Sequence, residues 1–341
     1  MSFIENSKHD NSIFCWDRWE GTAAYSKFKS EFRAKDIEVF EGLHGRNLLR
    51  NFYDLHGVVR NRGIRVIHSY HTGGHILGAI ITVSHRNLRL VVSFEGAGRT
   101  RSRLLKTLEA CSYNQASVLI SISNYVRNQR VGTLPNASRD RDIVIYNGAA
   151  KREATMQQVK NGAQLNLLNV AGLNRIKNQA VLINAMEVIA RKRQDVHLDL
   201  VGEGPDSERL RSMVGHKNLQ DCVRILGYRE DVGDFLSRCD IYVHAAKGEG
   251  FGIAVVEAML ARKPIVVASS GALPELILDQ NSGILADPDD PTDWAAKIEF
   301  LLDNPSIGAR MASNAYDRAS KLFGLDTYVK NVDELYDSLF P

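Results

Sequence analysis

The feature that most constrains this chain is a rhythm, a short β-branched run followed by a longer amphipathic segment, which occurs in two series. In the first series, residues 12–16, 37–40, 66–70, 90–94, 118–121 and 143–146 read as strands, with helical periodicity between them, as in 23–34 and 103–115. Strand followed by helix, repeated, gives a parallel sheet with helices on both faces. The rhythm breaks where Asn147-Gly148 reads as a turn and residues 149–164 turn polar. It then resumes with strands at 166–171, 196–201, 223–226, 241–244, 264–268 and 283–285, and with helices at 179–191, 207–214, 253–261 and 293–302. The economical reading is α/β, with two doubly wound Rossmann-like domains, residues 1–150 and 151–324, facing a cleft. Open sheets of this kind bind ligands at the carboxyl ends of their strands, so functional residues are expected just after strands.

Composition narrows the function class. With 341 residues there is chain enough for two cores of ordinary size. No run of eighteen uncharged apolar residues occurs, which excludes a membrane-spanning helix. The first ten residues lack an apolar core, which predicts no export signal and a cytoplasmic protein. Cys15, Cys111, Cys222 and Cys239 have no paired spacing, and suit buried thiols in a reducing compartment rather than zinc or disulfides. Charge is unevenly distributed. Residues 1–150 hold 21 Lys and Arg against 13 Asp and Glu, a net of +8, and the remainder hold 22 against 27, a net of −5. A basic half and an acidic half predict different partners.

The most informative segment is Glu249-Gly-Phe-Gly-Ile-Ala-Val-Val-Glu257. A strand precedes it, Gly248, Gly250 and Gly252 make a loop, and a helix opens near Ile253. Glycines let backbone N–H groups approach an anion, and a helix N-terminus favours phosphate. Glu257 lies about a turn into that helix, whose side chains lean towards its start, so its carboxylate can reach hydroxyls carried by such a phosphate. Glu249 lies on the other side. A nucleotide sugar has this layout, with ribose hydroxyls on one side of a diphosphate and sugar hydroxyls on the other. The plainer alternative is an ordinary helix glutamate and a loop carboxylate, and the pair beside three glycines favours function over it.

These residues, with Gly271 and Pro274-Glu275 and the segments Val201-Gly-Glu-Gly-Pro205, Leu226-Gly-Tyr228 and Val144-Ile-Tyr-Asn-Gly148, resemble the family 4 glycosyltransferases of the GT-B fold. The resemblance covers residues 140–340 well and the first half in outline. It implies a retaining, metal-independent transferase that moves a sugar from a UDP- or GDP-linked donor to a glycan or lipid-linked acceptor, in cell-surface polysaccharide synthesis. Glu249 would contact the transferred sugar and Glu257 the ribose. Gly250, Phe251, Gly252 and Ile253 would hold the distal phosphate and sugar, with Gly202, Gly204 and Tyr228 also on the donor side. Lys177 matches the lysine that neutralises the leaving diphosphate, a role that physical chemistry requires of some cation or dipole. The last helix, about 325–341, would cross back to the first domain.

The sequence also departs from that pattern. Where the family carries an arginine five residues before the lysine stands Gly172, with Arg175 nearby either as a substitute or as a water-exposed loop arginine. Where the first domain commonly carries a histidine after its fourth strand stands Glu95, able to accept hydroxyl hydrogen bonds but repulsive to a diphosphate. Gly21 is the one glycine left in a loop that often has two. His71 and His75, with His68, are expected at the cleft edge on the acceptor side, together with Arg99, or else the histidines are ordinary loop and helix-start residues. Their spacing is not that of a zinc set. No metal is expected, because Asp140-Arg-Asp142 precedes a strand instead of following one. Arg99, Arg101, Arg103 and Lys106, and Lys27, Lys29, Arg33 and Lys35 among aromatics, suit an anionic membrane surface or else a solvated face. Nucleic acid is not expected, since no binding module accompanies the charge. Two rival readings on the same fold are a non-catalytic nucleotide-sugar-binding subunit, favoured by Gly172 and Glu95, and a nucleotide-sugar epimerase.

Overall fold

The computed structural model describes residues 6–15, 38–41, 48–96, 102–130, 132, 134–153 and 164–340. The chain divides into two compact units, Met1–Ile145 with Tyr328–Pro341, and Tyr146–Thr327.

In unit 1, strands β1 (Ser12–Cys15) and β2 (Glu38–Glu41) pair in parallel as a separate two-stranded sheet. Strands β3 (Val66–Ser69), β4 (Arg89–Phe94), β5 (Val118–Ser121) and β6 (Asp142–Val144) form a parallel sheet in sequence order. All six expected strands are therefore present, but hydrogen bonding splits them into two and four. Helices α1 (Leu48–Arg62), α2 (Thr72–Ser84), α3 (Arg103–Gln115) and α4 (Asn124–Arg130) connect them. Each crossover from β3 to β6 steps one strand in the same direction, which puts α2, α3 and α4 on one face when every crossover is right-handed. Leu90, Val91, Val92 and Leu119 are buried in the sheet, and Leu55 and Val59 of α1 pack with Leu77 and Ile81 of α2.

The residues from Tyr328 onward belong to a final helix, Leu325–Ser338, and tie into this unit. Ser7 Oγ donates to Asp333 at 2.5 Å and the Lys8 backbone N–H donates to the same carboxylate at 3.0 Å. The His68 ring lies between the Tyr336 hydroxyl and Ser93 Oγ, 2.6 Å from each. Asn147-Gly148 is no hydrogen-bonded turn. Residues 145–148 run without assigned structure, and Ala149 bridges Gly324. The thiols also differ from expectation, since Cys239 is buried but Cys111 is exposed on α3.

Unit 2 is a six-stranded parallel sheet. Its strands are β7 (Leu165–Val170), β8 (Val196–Val201), β9 (Val223–Gly227), β10 (Ile241–His244), β11 (Ile265–Ala268) and β12 (Ile284–Ala286), in the order β12-β11-β10-β7-β8-β9. The chain builds outward from β7 to β9, then returns to the other side of β7 with β10. Strands β7 and β10 are thus neighbours, with Tyr242 opposite Leu168, although more than seventy residues separate them. Where strand order reverses in this way, ligands bind at the carboxyl ends of the two strands. Helices α5 (Gln179–Ala190), α6 (Ser207–His216), α7 (Val232–Arg238), α8 (Ile253–Leu260), α9 (Leu273–Leu276), α10 (Pro291–Asp303) and α11 (Pro305–Leu322) complete the unit. Leu182, Ile183, Val255, Val256 and Trp294 on their inward faces are at most 1% exposed.

Candidate active site

The loops after β7 and β10 meet because their strands are neighbours. Lys247 N–H donates to the Ile176 carbonyl at 2.7 Å, which holds the two loops edge to edge. Lys177 closes the first loop and Glu249 lies in the second, and the Lys177 ammonium donates to the Glu249 carboxylate. His244, the last residue of β10 and 2% exposed, reaches the same carboxylate oxygen through Nε2 at 3.1 Å. Tyr242 stacks on the His244 ring at 6.2 Å, and its hydroxyl lies 3.3 Å from the Val170 carbonyl and 3.4 Å from His244 Nδ1. Burial opposes ionisation of Glu249, but the His244 hydrogen bond and the Lys177 charge outweigh it and hold its carboxyl at about 2. Glu249 is an anion at any working pH, and Lys177 is poised beside it.

The backbone around Glu249 is fixed from behind by Gly271, at φ 65°. A Cβ there would stand 2.4 Å from Glu249 N and 2.5 Å from Glu249 O, so no side chain fits. Ala272 N–H donates to the Glu249 carbonyl at 2.8 Å and Gly248 N–H to Ser270 Oγ at 3.0 Å. The loop then enters α8 with Gly252 as its N-cap at φ 106°. Phe251 is buried, packed with Tyr146 and Phe323, and Ile253 at the helix start is exposed. Glu257 faces inward from α8, 7% exposed, and accepts a hydrogen bond from Arg152 Nε at 2.8 Å. Burial pushes the Glu257 carboxyl up, and the Arg152 guanidinium offsets only part of that.

Lys177 and Glu249 thus meet at the loop that leads into α8, and Glu257 follows on that helix against Arg152. Gly202 and Gly204, expected on the donor side, sit at a backbone crossing. Cβ atoms at these positions would lie 2.0 Å from the Ala171 carbonyl oxygen and 2.3 Å from that of Leu173. Their geometry holds the loop that carries Lys177, with Leu173 N–H donating to the Glu203 carbonyl at 2.9 Å. Tyr228, after edge strand β9, is 66% exposed. Arg175 is exposed and makes no ion pair among the described residues, and Gly172 lies exposed in the same loop.

Two residues escaped the sequence reading. His244 was legible only as a polar residue ending an apolar strand, and Arg152 only as one basic residue in a polar connector.

On unit 1, Glu95 follows β4 and is exposed. His71 is the exposed N-cap of α2. His75 departs from expectation, since it is buried, bonded through Nδ1 to Ser69 Oγ at 2.9 Å and packed on Phe94. A ring held this way is core, because α2 turns its fourth residue onto the sheet. Asp142 is likewise buried, accepting from Ser121 Oγ at 3.0 Å. Gly21, Arg99 and Arg101, and the basic residues at 27–35, lie outside the described residues. No group of three or more His, Cys, Asp or Glu is arranged to hold a metal among the described residues. No described helix is long and apolar enough to cross a membrane.

Residues 151–318 match the family described as glycosyl transferases group 1. The chain is 27% identical over 318 residues to an uncharacterised glycosyltransferase of Methanocaldococcus jannaschii, covering 89% of this chain and 84% of that protein. It is 22% identical over 293 residues to N-acetyl-alpha-D-glucosaminyl L-malate synthase of Bacillus anthracis, covering 82% and 76%. Its fold matches the crystal structure of Anabaena HepE in complex with UDP at a TM-score of 0.82 and 22% identity, over 96% of this chain and all of that one. Residues 151–318 match the group 1 glycosyl transferases, and the chain is a glycosyltransferase of the family 4 type with the GT-B fold.

Proposed function

We propose that this chain is a retaining, metal-independent glycosyltransferase that takes a sugar from a UDP- or GDP-linked donor bound by unit 2. The observation that carries the reading is the pairing of Lys177 with an ionised Glu249 beside the Gly252-capped start of α8, with Glu257 one turn further on. In this mechanism Glu257 accepts the ribose hydroxyls and Glu249 accepts hydroxyls of the sugar. Backbone N–H groups at the start of α8 take the distal phosphate. As the glycosidic bond breaks, negative charge grows on the diphosphate, and the Lys177 ammonium meets it without a metal ion. HepE, whose structure holds UDP, lends support to a nucleotide donor.

The test is a binding and turnover screen over UDP- and GDP-sugars in excess chelator. Slow donor hydrolysis without acceptor, releasing the sugar first as the α anomer, is the expected result. Loss of activity that magnesium or manganese restores refutes metal independence, and release of the β anomer refutes retention. A released epimer of the sugar favours an epimerase.

The acceptor side of the proposal is a glycan or lipid-linked acceptor at an anionic membrane surface, serving surface polysaccharide synthesis. Support comes from the net +8 of residues 1–150 and from α3. All of residues 102–108 are exposed, including Leu104, Leu105 and Leu108 beside Arg103 and Lys106. A handful of basic residues, each contributing about 1 kcal/mol near anionic lipid, suffices for reversible attachment. Co-sedimentation with vesicles containing phosphatidylserine should be strong at low salt and fade as screening shortens to about 8 Å. It should drop severalfold when Arg103 and Lys106 become Ser. Equal sedimentation with neutral and anionic vesicles counts against this surface.

A further inference from the structure

Resting on the donor reading above, we infer that Arg152 is a further donor-binding residue, whose guanidinium takes the nucleotide's phosphate nearest the ribose while its Nε holds Glu257 in place. The chain segment that carries it is firmly seated on unit 2. Ala149 N–H donates to the Phe323 carbonyl at 3.0 Å, and Leu325 N–H returns to the Ala149 carbonyl at 3.1 Å. Three residues earlier, the Tyr146 hydroxyl donates to Glu275 at 3.1 Å, and its ring packs 5.2 Å from Phe323 and 6.1 Å from Phe251. Phe251 belongs to the loop that leads into α8. Arg152, three residues past the Ala149 anchor, is therefore delivered to the side of α8 that bears Glu257.

Only one nitrogen of the guanidinium is used there. Arg152 Nε donates to Glu257 Oε1 at 2.8 Å, and the two terminal nitrogens make no other hydrogen bond among the described residues. The Arg152 side chain is 52% exposed, whereas the carboxylate it touches is 10% exposed. A structural ion pair on a helix would gain from a fork-to-fork, two-bond arrangement. Here only the Nε–Oε1 contact is made, and the half-exposed side chain keeps its terminal nitrogens for another acceptor.

Charge leads to the same conclusion. A nucleoside diphosphate brings at least two negative charges to a site that already holds the anionic Glu249 and the buried Glu257. Lys177 stands on the Glu249 side, at the sugar end of the proposed donor. Arg152 stands on the Glu257 side, at the ribose end. The two cations bracket the helix start, one for each end of the diphosphate. Planar N–H donors match phosphate oxygens in pairs, which a lysine at this position would not do.

The alternative role for Arg152 is to neutralise Glu257 and nothing more, and a double-mutant cycle separates the two. Glu257→Gln removes the carboxylate charge, so a merely neutralising arginine has no remaining task in that background. Affinity for UDP and GDP is measured by titration calorimetry, with competition for weak complexes, on wild type, E257Q, R152A and E257Q/R152A. The expected result is that R152A weakens the bound diphosphate by about tenfold or more, and does so again within E257Q, with R152K recovering only part. Since E257Q and the double variant both lack the ion pair, they should melt at the same temperature, which keeps lost fold from being read as lost binding. Equal affinity of E257Q and E257Q/R152A overturns the assignment of Arg152 while leaving the donor reading intact. Wild type that binds neither diphosphate overturns the donor reading, and this inference with it.

Discussion

Lys177→Ala should lower turnover by about 10²-fold or more while changing donor affinity far less, the signature of an interaction that strengthens as the bond breaks. The ground-state charge of Lys177 is already engaged, because its ammonium is bonded to the Glu249 carboxylate. Donor binding therefore gains little from it. In the transition state the leaving diphosphate acquires charge that no other nearby described cation is placed to meet at that end. Arg175 lies two residues away but is exposed and unpaired among the described residues, so Arg175→Ala should stay close to wild type. Removing Lys177 leaves Glu249 with His244 as its remaining charged or polar side-chain partner, and its carboxyl should titrate higher. Steady-state rates over a range of donor concentrations decide the matter. A variant within about threefold of wild-type turnover, or one whose loss is all in KM, removes Lys177 from the chemistry.

The parts of this molecule that local sequence could reveal are those whose physics is local. Strands 118–121, 196–201 and 241–244 match the observed ones residue for residue, because each is a short run rich in Val, Leu or Ile. The loop from Glu249 to Ile253 was also legible as a strand-to-helix turn, since its glycines supply the positive φ that Gly252 takes at the N-cap. Helix α2 is legible only through the strand–helix rhythm, because Gly73, Gly74 and Gly78 are local breakers. Burial of Ile76, Leu77 and Ile81 against the sheet and α1 overrides that local preference, and carries His75 into the core with them.

The site partners were hidden for a different reason. Lys177 and Glu249 meet because β10 returns to the far side of β7, a reversal of strand order that no short-range pattern encodes. Arg152 reaches Glu257 across 105 residues, through the Ala149 bridge to Gly324. His244 is one polar letter at the end of an apolar strand, and it acquires a role only once Glu249 has been folded over it.

Mild acid should destabilise unit 1, and the cause should trace to His68 and His75. Burial holds both rings neutral, pushing each down to about 3, with Arg130 adding to the effect at His75. The sign follows from which state binds more protons. Between about 6.5, where an unfolded histidine titrates, and about 3, the unfolded chain is protonated at these positions and the folded chain is not. Their contribution is fully present above 6.5 and is lost as pH falls towards 3. At roughly 1.4 kcal/mol per pH unit and per histidine, the pair costs about 4 kcal/mol by pH 5, against a typical total of about 5–15 kcal/mol. The rings cannot escape by accepting a proton in place. His68 is enclosed by Tyr336, Ser93 and Tyr70, and His75 by Ser69, Phe94, Tyr113 and Arg130. None of these is an anion that would stabilise an imidazolium. Asp142 acts in the opposite direction, because burial raises its carboxyl, with Ser121 and Arg127 offsetting only part, so that acid relieves its strain. Urea unfolding at pH 7 and pH 5 measures the slope, with His68→Asn and His75→Gln combined as the comparison, since amides keep polar partners for Ser93 and Ser69 without titrating. The double variant should start less stable at pH 7 yet lose much less between the two pH values. If wild type and variant lose stability in parallel, the acid sensitivity lies elsewhere in the molecule.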